Sequence, residues 1–323
     1  ARHAEGKSGA RALLAWDGPA RTRLIGFLPV VTAWRAMRIP MPVFVAWQGY
    51  SPLTTPLIDR DKSELAARTL LAAAAKAGAL ALLLPSMVED GPAASALRGA
   101  IAPFKLAPYT FNRHQRAQLD ATQDGEAAIA SLGAKKLKEL RRQRNRLADG
   151  GDVVFKITSP GAETDAALDA FLSLEAAGWK GDSGTALASK PGDTSFIKSA
   201  VPGMVAYGTA GMATLSRGGT VVAAGVLLRH LRRVFFFKIA YDECAAKTSP
   251  GVQLTLDITR RLCADGAVDD VDSTANGGHP MIDHVWRSRL SVGDLLLPLQ
   301  PGKFPLALFA TLINARRLLR GCA

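Results

Sequence analysis

The 323-residue sequence predicts an α+β protein with two domains in tandem, each a mixed, mostly antiparallel sheet flanked by a few helices. Three observations carry this. At about 150 residues per domain, the length suits two domains. Apolar strand-like stretches and alanine- or leucine-bearing helical stretches alternate in the first third, and the pattern recurs in kind afterwards. The composition is globular, with 48% hydrophobic and 21% charged residues, 30 Gly and 18 Pro, which excludes a disordered or collagen-like chain. The boundary is placed near residue 130, giving domains over 1–130 and 131–323.

The first domain opens on strands. Residues 12–16 are short and apolar, Asp17-Gly18-Pro19 is a turn, and 21–31 alternates before becoming apolar. That reads as a hairpin. Residues 41–47 form a further strand. Residues 59–78 are alanine-rich with Leu65, Leu70 and Leu71, and end on Gly78, which predicts a helix. A buried strand over 79–84, a short helix over 91–100 and a strand over 105–112 follow.

The second domain begins with a basic helix over 131–149, closed by Gly150-Gly151. A strand over 153–158 leads to a helix over 163–178, with Ala167, Phe171 and Leu174 on one face. Strands are expected at 205–207 and 212–217, then a Gly218-Gly219 hairpin into 220–229, and a strongly apolar strand over 234–241. A helix over 252–265, a strand over 267–272, a helix over 281–289 and a closing strand over 295–299 complete the sheet. The last helix, over 304–320, sets Leu308, Phe309, Leu312 and Leu319 against Arg316, Arg317 and Arg320. Packing is its default role, with an anionic membrane surface as the alternative.

Three cysteines (Cys244, Cys263, Cys322) are too few and too scattered for a disulfide framework or a cysteine zinc site. Apolar runs such as 80–84 and 221–228 fall far short of the ~20 residues of a membrane span. Residues 1–9 carry no apolar signal segment. A cytoplasmic location is expected, with peripheral contact to the inner membrane as a further option. Net charge is +12, and residues 135–146, KKLKELRRQRNR, concentrate it. Such a block is either a solvated face or a landing surface for acyl-CoA, an acidic carrier protein, RNA or anionic lipid. It lacks the aromatics that would stack single-stranded bases.

Several short motifs fail. Gly6-Lys7-Ser8 lacks the first glycine and preceding strand of a phosphate-binding P-loop. Gly181-Asp182-Ser183-Gly184 resembles a serine-protease nucleophile segment, yet only His3 and His114 precede it, in unsuitable contexts. His279 and Asp283 share a helical face, but His284 points away and no third ligand follows, so no metal is expected.

One stretch survives. The apolar strand Phe235–Asp242 runs into Ser249-Pro250-Gly251-Val252-Gln253, which opens a helix. Ser249 suits a cap, Pro250 the first turn, and Gly251 a close backbone approach. The amides of such a turn and the helix dipole suit phosphate or pyrophosphate.

Taken in order, Asp17-Gly-Pro, Leu24-Ile-Gly-Phe-Leu-Pro29, Glu175-Ala-Ala-Gly-Trp-Lys-Gly181, Gly184-Thr-Ala-Leu187, Lys238-Ile-Ala-Tyr-Asp-Glu243, Ser249-Pro-Gly251 and His279-Pro-Met-Ile282 resemble the CelD/BcsL-like acetyltransferases of the GNAT superfamily, relatives of the FemABX transferases. The resemblance implies tandem GNAT-like domains and an N-acyltransferase in polysaccharide, cell-envelope or lipid biosynthesis. It would use acetyl-CoA or a longer acyl-CoA, with no metal. The donor's pyrophosphate would lie on Ser249, Pro250, Gly251, Val252 and Gln253. Its pantetheine arm would run along Lys238, Ile239, Ala240 and Tyr241. The usual pyrophosphate loop is richer in glycine than Thr248-Ser-Pro-Gly-Val-Gln, so an acyl carrier protein or aminoacyl-tRNA is the alternative donor. A non-catalytic accessory protein is a third reading.

The chemistry would be attack of an acceptor amine, from a small molecule, lipid or sugar, on the donor carbonyl. A backbone N–H of strand 235–241 would stabilise the oxyanion, and a base would take the proton. Asp272, His279 and Glu175 are the candidate bases. Trp179 and Lys180 are the candidate acceptor wall. Lys238, alone in an apolar strand, needs an anionic partner or a route to solvent.

Overall fold

The computed structural model describes residues 9–47, 49–158, 160–302 and 305–321, with side chains to 316. The P-loop-like Gly6-Lys7-Ser8 and His3 lie outside the described residues, as do Phe304 and the side chains of Arg317, Leu319 and Arg320. Two compact units emerge. One takes the described residues from Gly9 to His114 together with the segment from Ser291 onward. The other is Gln115–Leu290.

In chain order the elements are β1 (Arg11–Trp16), β2 (Leu24–Thr32), α1 (Ala33–Met37), β3 (Val43–Ala46), β4 (Leu57–Ile58), α2 (Ser63–Lys76), β5 (Ala81–Val88), α3 (Pro92–Ile101), β6 (Tyr109–Asp120), α4 (Gly125–Ala130), α5 (Ala134–Ala148), β7 (Val153–Ile157), α6 (Ala162–Ala177), α7 (Trp179–Asp182), α8 (Pro191–Ala206), β8 (Ala210–Arg217), β9 (Thr220–His230), β10 (Arg233–Tyr241), α9 (Pro250–Cys263), β11 (Asp270–Asp272), β12 (Ser288–Pro298) and α10 (Leu306–Gly321).

Both units are built on one plan. In the first, β1 and β2 form the expected hairpin, β2 pairs antiparallel with β3, β3 pairs parallel with β5, and β5 pairs antiparallel with β12. In the second, β8 and β9 form a hairpin, β9 pairs antiparallel with β10, β10 parallel with β11, and β11 antiparallel with the end of β6; β7 adds an edge beside β8. Each unit's set of strands is thus mostly antiparallel, with one parallel pair joined by a crossover helix, α2 or α9.

The division differs from the one expected. It falls inside β6 rather than near residue 130, and the segment from Ser291 joins the first unit rather than closing the second. Hydrophobic burial explains this. Leu295, Leu296 and Leu297 sit in the first unit's cores with Leu82–Leu84. Leu119 and Ala117 of β6 sit in the second unit's core with Val271 and Leu254.

Other departures have local causes. Residues 205–207 are not a strand, because Val205 is buried in the last turn of α8, a helix that tolerates Pro202 inside it. The helix expected over 281–289 is a single 3₁₀ turn at Ile282–His284, and the chain is already a strand from Ser288. Trp286 is nonetheless core, with its indole N–H donating to Thr259 at 2.9 Å. On α10 the buried face is Phe309, Ala310 and Ile313, whereas Leu308 and Leu312 are exposed. Among the described residues no helix is long and apolar enough to cross a membrane.

Candidate active site

The site grows from the parallel pair of the second unit. β10 and β11 are in register for only three residues, Arg233–Phe235 against Asp270–Asp272. Beyond Asp272 the chain turns at Thr274, which takes a left-handed φ of 53°. The Thr274 hydroxyl donates to the carbonyls of Phe236 (2.7 Å) and Phe237 (3.2 Å), ending the ladder with a side chain where a strand would continue. β10 runs on through Tyr241 with no strand on that side among the described residues.

β10 also carries a bulge. Phe236 faces Leu227 and Lys238 faces Val226, so Phe237 is the extra residue. Past the bulge, the Asp242 amide bonds Val222 on β9. With a period of two, the backbone groups of Ile239 and Tyr241 therefore point away from β9, to the open edge.

At the end of β10 a 3₁₀ turn, Glu243–Thr248, leads into α9. Ser249 is the N-cap residue but takes a left-handed conformation (φ 50°) and makes no side-chain cap bond, so it does not cap as its residue type suggests. The Gln253 amide bonds Ser249 O. Pro250 has no N–H, so Gly251 and Val252 supply the uncapped amides. Gly251 itself is buried: a Cβ there would lie 3.1 Å from Tyr241 and 3.3 Å from the Met281 sulfur. A side chain there would crowd the helix start against the strand end. Gln253 is buried too, its side-chain amide donating to Leu140 O on α5 at 3.0 Å.

The motif at 175–181 forms the opposite wall. α6 ends at Ala177, and the short α7 folds back on it. Gly181 sits so close that a Cβ would lie 1.9 Å from Ala176 O, and one at Gly178 would lie 2.7 Å from Glu243 Oε1. Glu243 in turn accepts the Trp179 amide at 2.9 Å. This reversal leaves Trp179 exposed (59%), so it is not a core residue, and returns Lys180 over Glu175. Gly181→Ala is therefore expected to displace α7. Circular dichroism should show the fold retained while the Trp179 fluorescence maximum moves.

Glu175 is buried, with its side chain 0% exposed. Its Oε1 receives Lys180 Nζ at 3.3 Å and Lys238 Nζ at 3.2 Å, and its Oε2 receives the Leu187 amide at 2.8 Å. Lys180 also donates to Ile239 O at 3.2 Å, on the open edge of β10. Burial holds the Lys180 amine below the usual lysine range; Glu175 pulls it back up and Lys238 pushes it further down. Lys238 thus has the anionic partner its apolar strand demanded.

The other two base candidates stand apart. Asp272 is fully buried and paired with Arg116 (Nη1–Oδ2 3.2 Å), and its Oδ1 accepts the Thr274 amide at 2.7 Å. Its negative charge is matched inside the sheet and holds the turn that opens the edge of β10. His279, half-buried, takes the Met281 amide on Nδ1 at 3.3 Å. In the neutral ring that bond places the proton on Nε2. Arg116 and Thr274, which set the splay, were not among the expected site residues. Their signal lies in pairings distant in sequence.

Residues 134–279 match the family model described as an acetyltransferase (GNAT) domain. No curated protein matches the sequence. Similar solved structures include the C-terminal DUF2156 domain of a candidate lysylphosphatidylglycerol synthetase from Agrobacterium fabrum (15% identity, 94% of this chain, 88% of that one, TM-score 0.56). L-PGS from Bacillus licheniformis is similar at 15% identity over 91% of this chain and 86% of that one, with a TM-score of 0.52. FemX is similar at 8% identity over 90% and 89%, with a TM-score of 0.54. At these identities the likeness is one of fold. The splayed parallel pair and its crossover helix lie within the matched segment: residues 134–279 are an acetyltransferase (GNAT) domain, and the protein is an acyltransferase.

Proposed function

We propose that the second unit moves an acyl group from acetyl-CoA or a longer acyl-CoA to an amine of a small-molecule, sugar or lipid acceptor. A role in polysaccharide, cell-envelope or lipid biosynthesis, of the CelD/BcsL type, fits this reading. The observation that carries it is the open edge of β10 ending at uncapped amides. The donor's pyrophosphate would take the Gly251 and Val252 amides at the α9 N-terminus, within the run Ser249–Gln253. Its acyl arm would run along Lys238, Ile239, Ala240 and Tyr241. An edge amide of β10 would receive the oxyanion as the acceptor nitrogen attacks. The tetrahedral intermediate then expels the thiolate, and the proton lost by nitrogen ends on sulfur.

For the proton step, Glu175 and Asp272 serve better as positioning groups, because both carboxylates are already matched by cations. His279 forms no ion pair among the described residues and is the proton acceptor in this reading, with Nδ1 releasing the Met281 amide. His279→Ala is expected to lower kcat about 100-fold, in the range of general-base contributions, with CoA affinity unchanged by calorimetry. Unchanged kcat would remove His279 from the mechanism.

A second reading, with aminoacyl-tRNA as donor, is favoured by one observation. Lys135, Lys136, Lys138, Arg141 and Arg146 on α5 are exposed and form no ion pair among the described residues. α5 packs against both α9 and the 3₁₀ turn ahead of it. Calorimetry with acetyl-CoA, longer acyl-CoAs and tRNA separates the two. For tRNA, log affinity should fall with log salt by about 0.7–0.9 per phosphate neutralised. The acyl-CoA reading expects saturable CoA binding with a shallow salt slope, and tight tRNA binding with no CoA binding would replace it.

A further inference from the structure

The Glu175 cluster carries an imbalance of charge. Lys180 and Lys238 bring two ammonium groups to a single carboxylate oxygen, 3.3 and 3.2 Å away. Glu175 brings one negative charge to two positive ones, and its other oxygen already accepts the Leu187 amide. Each ammonium has three donors. Lys180 spends one on Glu175 and one on Ile239 O, and Lys238 spends one on Glu175. The other three N–H donors make no hydrogen bond among the described residues, on side chains that are 23% and 25% exposed. A half-buried cation without its full counter-charge is costly, and an arriving anion relieves that cost through charge-assisted hydrogen bonds. The cluster touches the open edge of β10 through Ile239 O, and the exposed ring of Trp179 stands beside it, its centroid 5.9 Å from Lys180 Nζ.

We propose that Lys180 and Lys238 form an anion subsite that holds a carboxylate or phosphate borne by the acyl acceptor, so that the acceptor is an acidic molecule with an attacking group nearby. A plain cationic amine would meet net positive charge here, whereas an amine or hydroxyl compound with an acid group would be steered and oriented. The depressed titration of Lys180 sets the pH behaviour. The groups acting on its charge are Glu175 and Lys238, and the anion is held while Lys180 is protonated. Binding fades as pH rises through the lowered value, below the usual lysine range.

The subsite rests on the acyl-transfer reading only in naming the acceptor as the anion's bearer. Anion binding is measured without donor, so the two fail separately. The full-length protein would be titrated with inorganic phosphate and with acetate at constant ionic strength, following tryptophan fluorescence and calorimetry. The expected result is a saturable response that Lys238→Met and Lys180→Met weaken at least tenfold, that Lys238→Arg restores, and that Trp179→Phe silences in fluorescence but not in calorimetry. Turnover should favour glycine over glycinamide if the group is a carboxylate, or O-phosphoethanolamine over ethanolamine if it is a phosphate. Unchanged anion affinity in folded Lys238→Met protein would overturn the subsite. Lysine-dependent preference for succinyl-CoA over acetyl-CoA, with no effect of free anions, would move the anion to the donor and overturn its assignment to the acceptor.

Discussion

Asp272→Asn is expected to destabilise the second unit by about 3–5 kcal/mol, the cost of breaking a buried ion pair by neutralising one of its members. Asp272 is 0% exposed and Arg116 is 4% exposed at their side chains, so water cannot substitute for the lost charge. The same carboxylate accepts the Thr274 amide, and Thr274 ends the ladder between β10 and β11. Loss of Asp272 therefore loosens the turn that opens the edge. Thermal unfolding should fall by roughly 2–4 °C per kcal/mol for a unit of this size. CoA affinity should fall along with it, and turnover no further than affinity explains. An unchanged Tm with turnover abolished would instead make Asp272 the proton acceptor.

Glu175→Ala should be comparably severe. It leaves two ammonium groups facing each other without an intervening anion, removes the partner of the Leu187 amide, and frees α7 from its anchor on α6. A loss of about 3–5 kcal/mol is expected, read again by thermal unfolding. Adding Lys238→Met should recover part of it, because the two changes share one ion-pair network and are not additive. If the single variant unfolds like the wild type, the cluster is only a surface ion pair.

Much of this fold is legible in sequence because its signals are local. The hairpin β1–β2 follows from Asp17-Gly18-Pro19, β8–β9 from Gly218-Gly219, and α9 from Ser249-Pro250 ahead of an apolar face. α8 is not legible, since its residues 191–206 include Pro191, Gly192, Pro202 and Gly203, which read as loop until Ile197, Val201 and Val205 are seen buried on one face. β12 is hard to assign to a unit, because an apolar strand does not name its partner. Its place beside β5 is fixed by packing over two hundred residues apart in sequence.

The site divides in the same way. The residue types at 175–181, 238–241 and 249–253 mark the stretches that converge, and Gly178 and Gly181 are needed where α7 reverses. The roles within them depend on partners that spacing cannot reveal. Glu175 meets Lys238 from 63 residues away, and Asp272 meets Arg116 from 156 away. These long-range pairings turn two expected bases into matched charges, and give Lys180 and Lys238 a shared carboxylate.

The most direct measurement is a crystal structure of the full-length protein with CoA bound. The pyrophosphate is expected at about 2.7–3.2 Å from the Gly251 and Val252 amides, with the pantetheine arm along Lys238–Tyr241. CoA bound elsewhere, with Tyr241 and Met281 still closed over Gly251 and the edge of β10 untouched, would contradict the account.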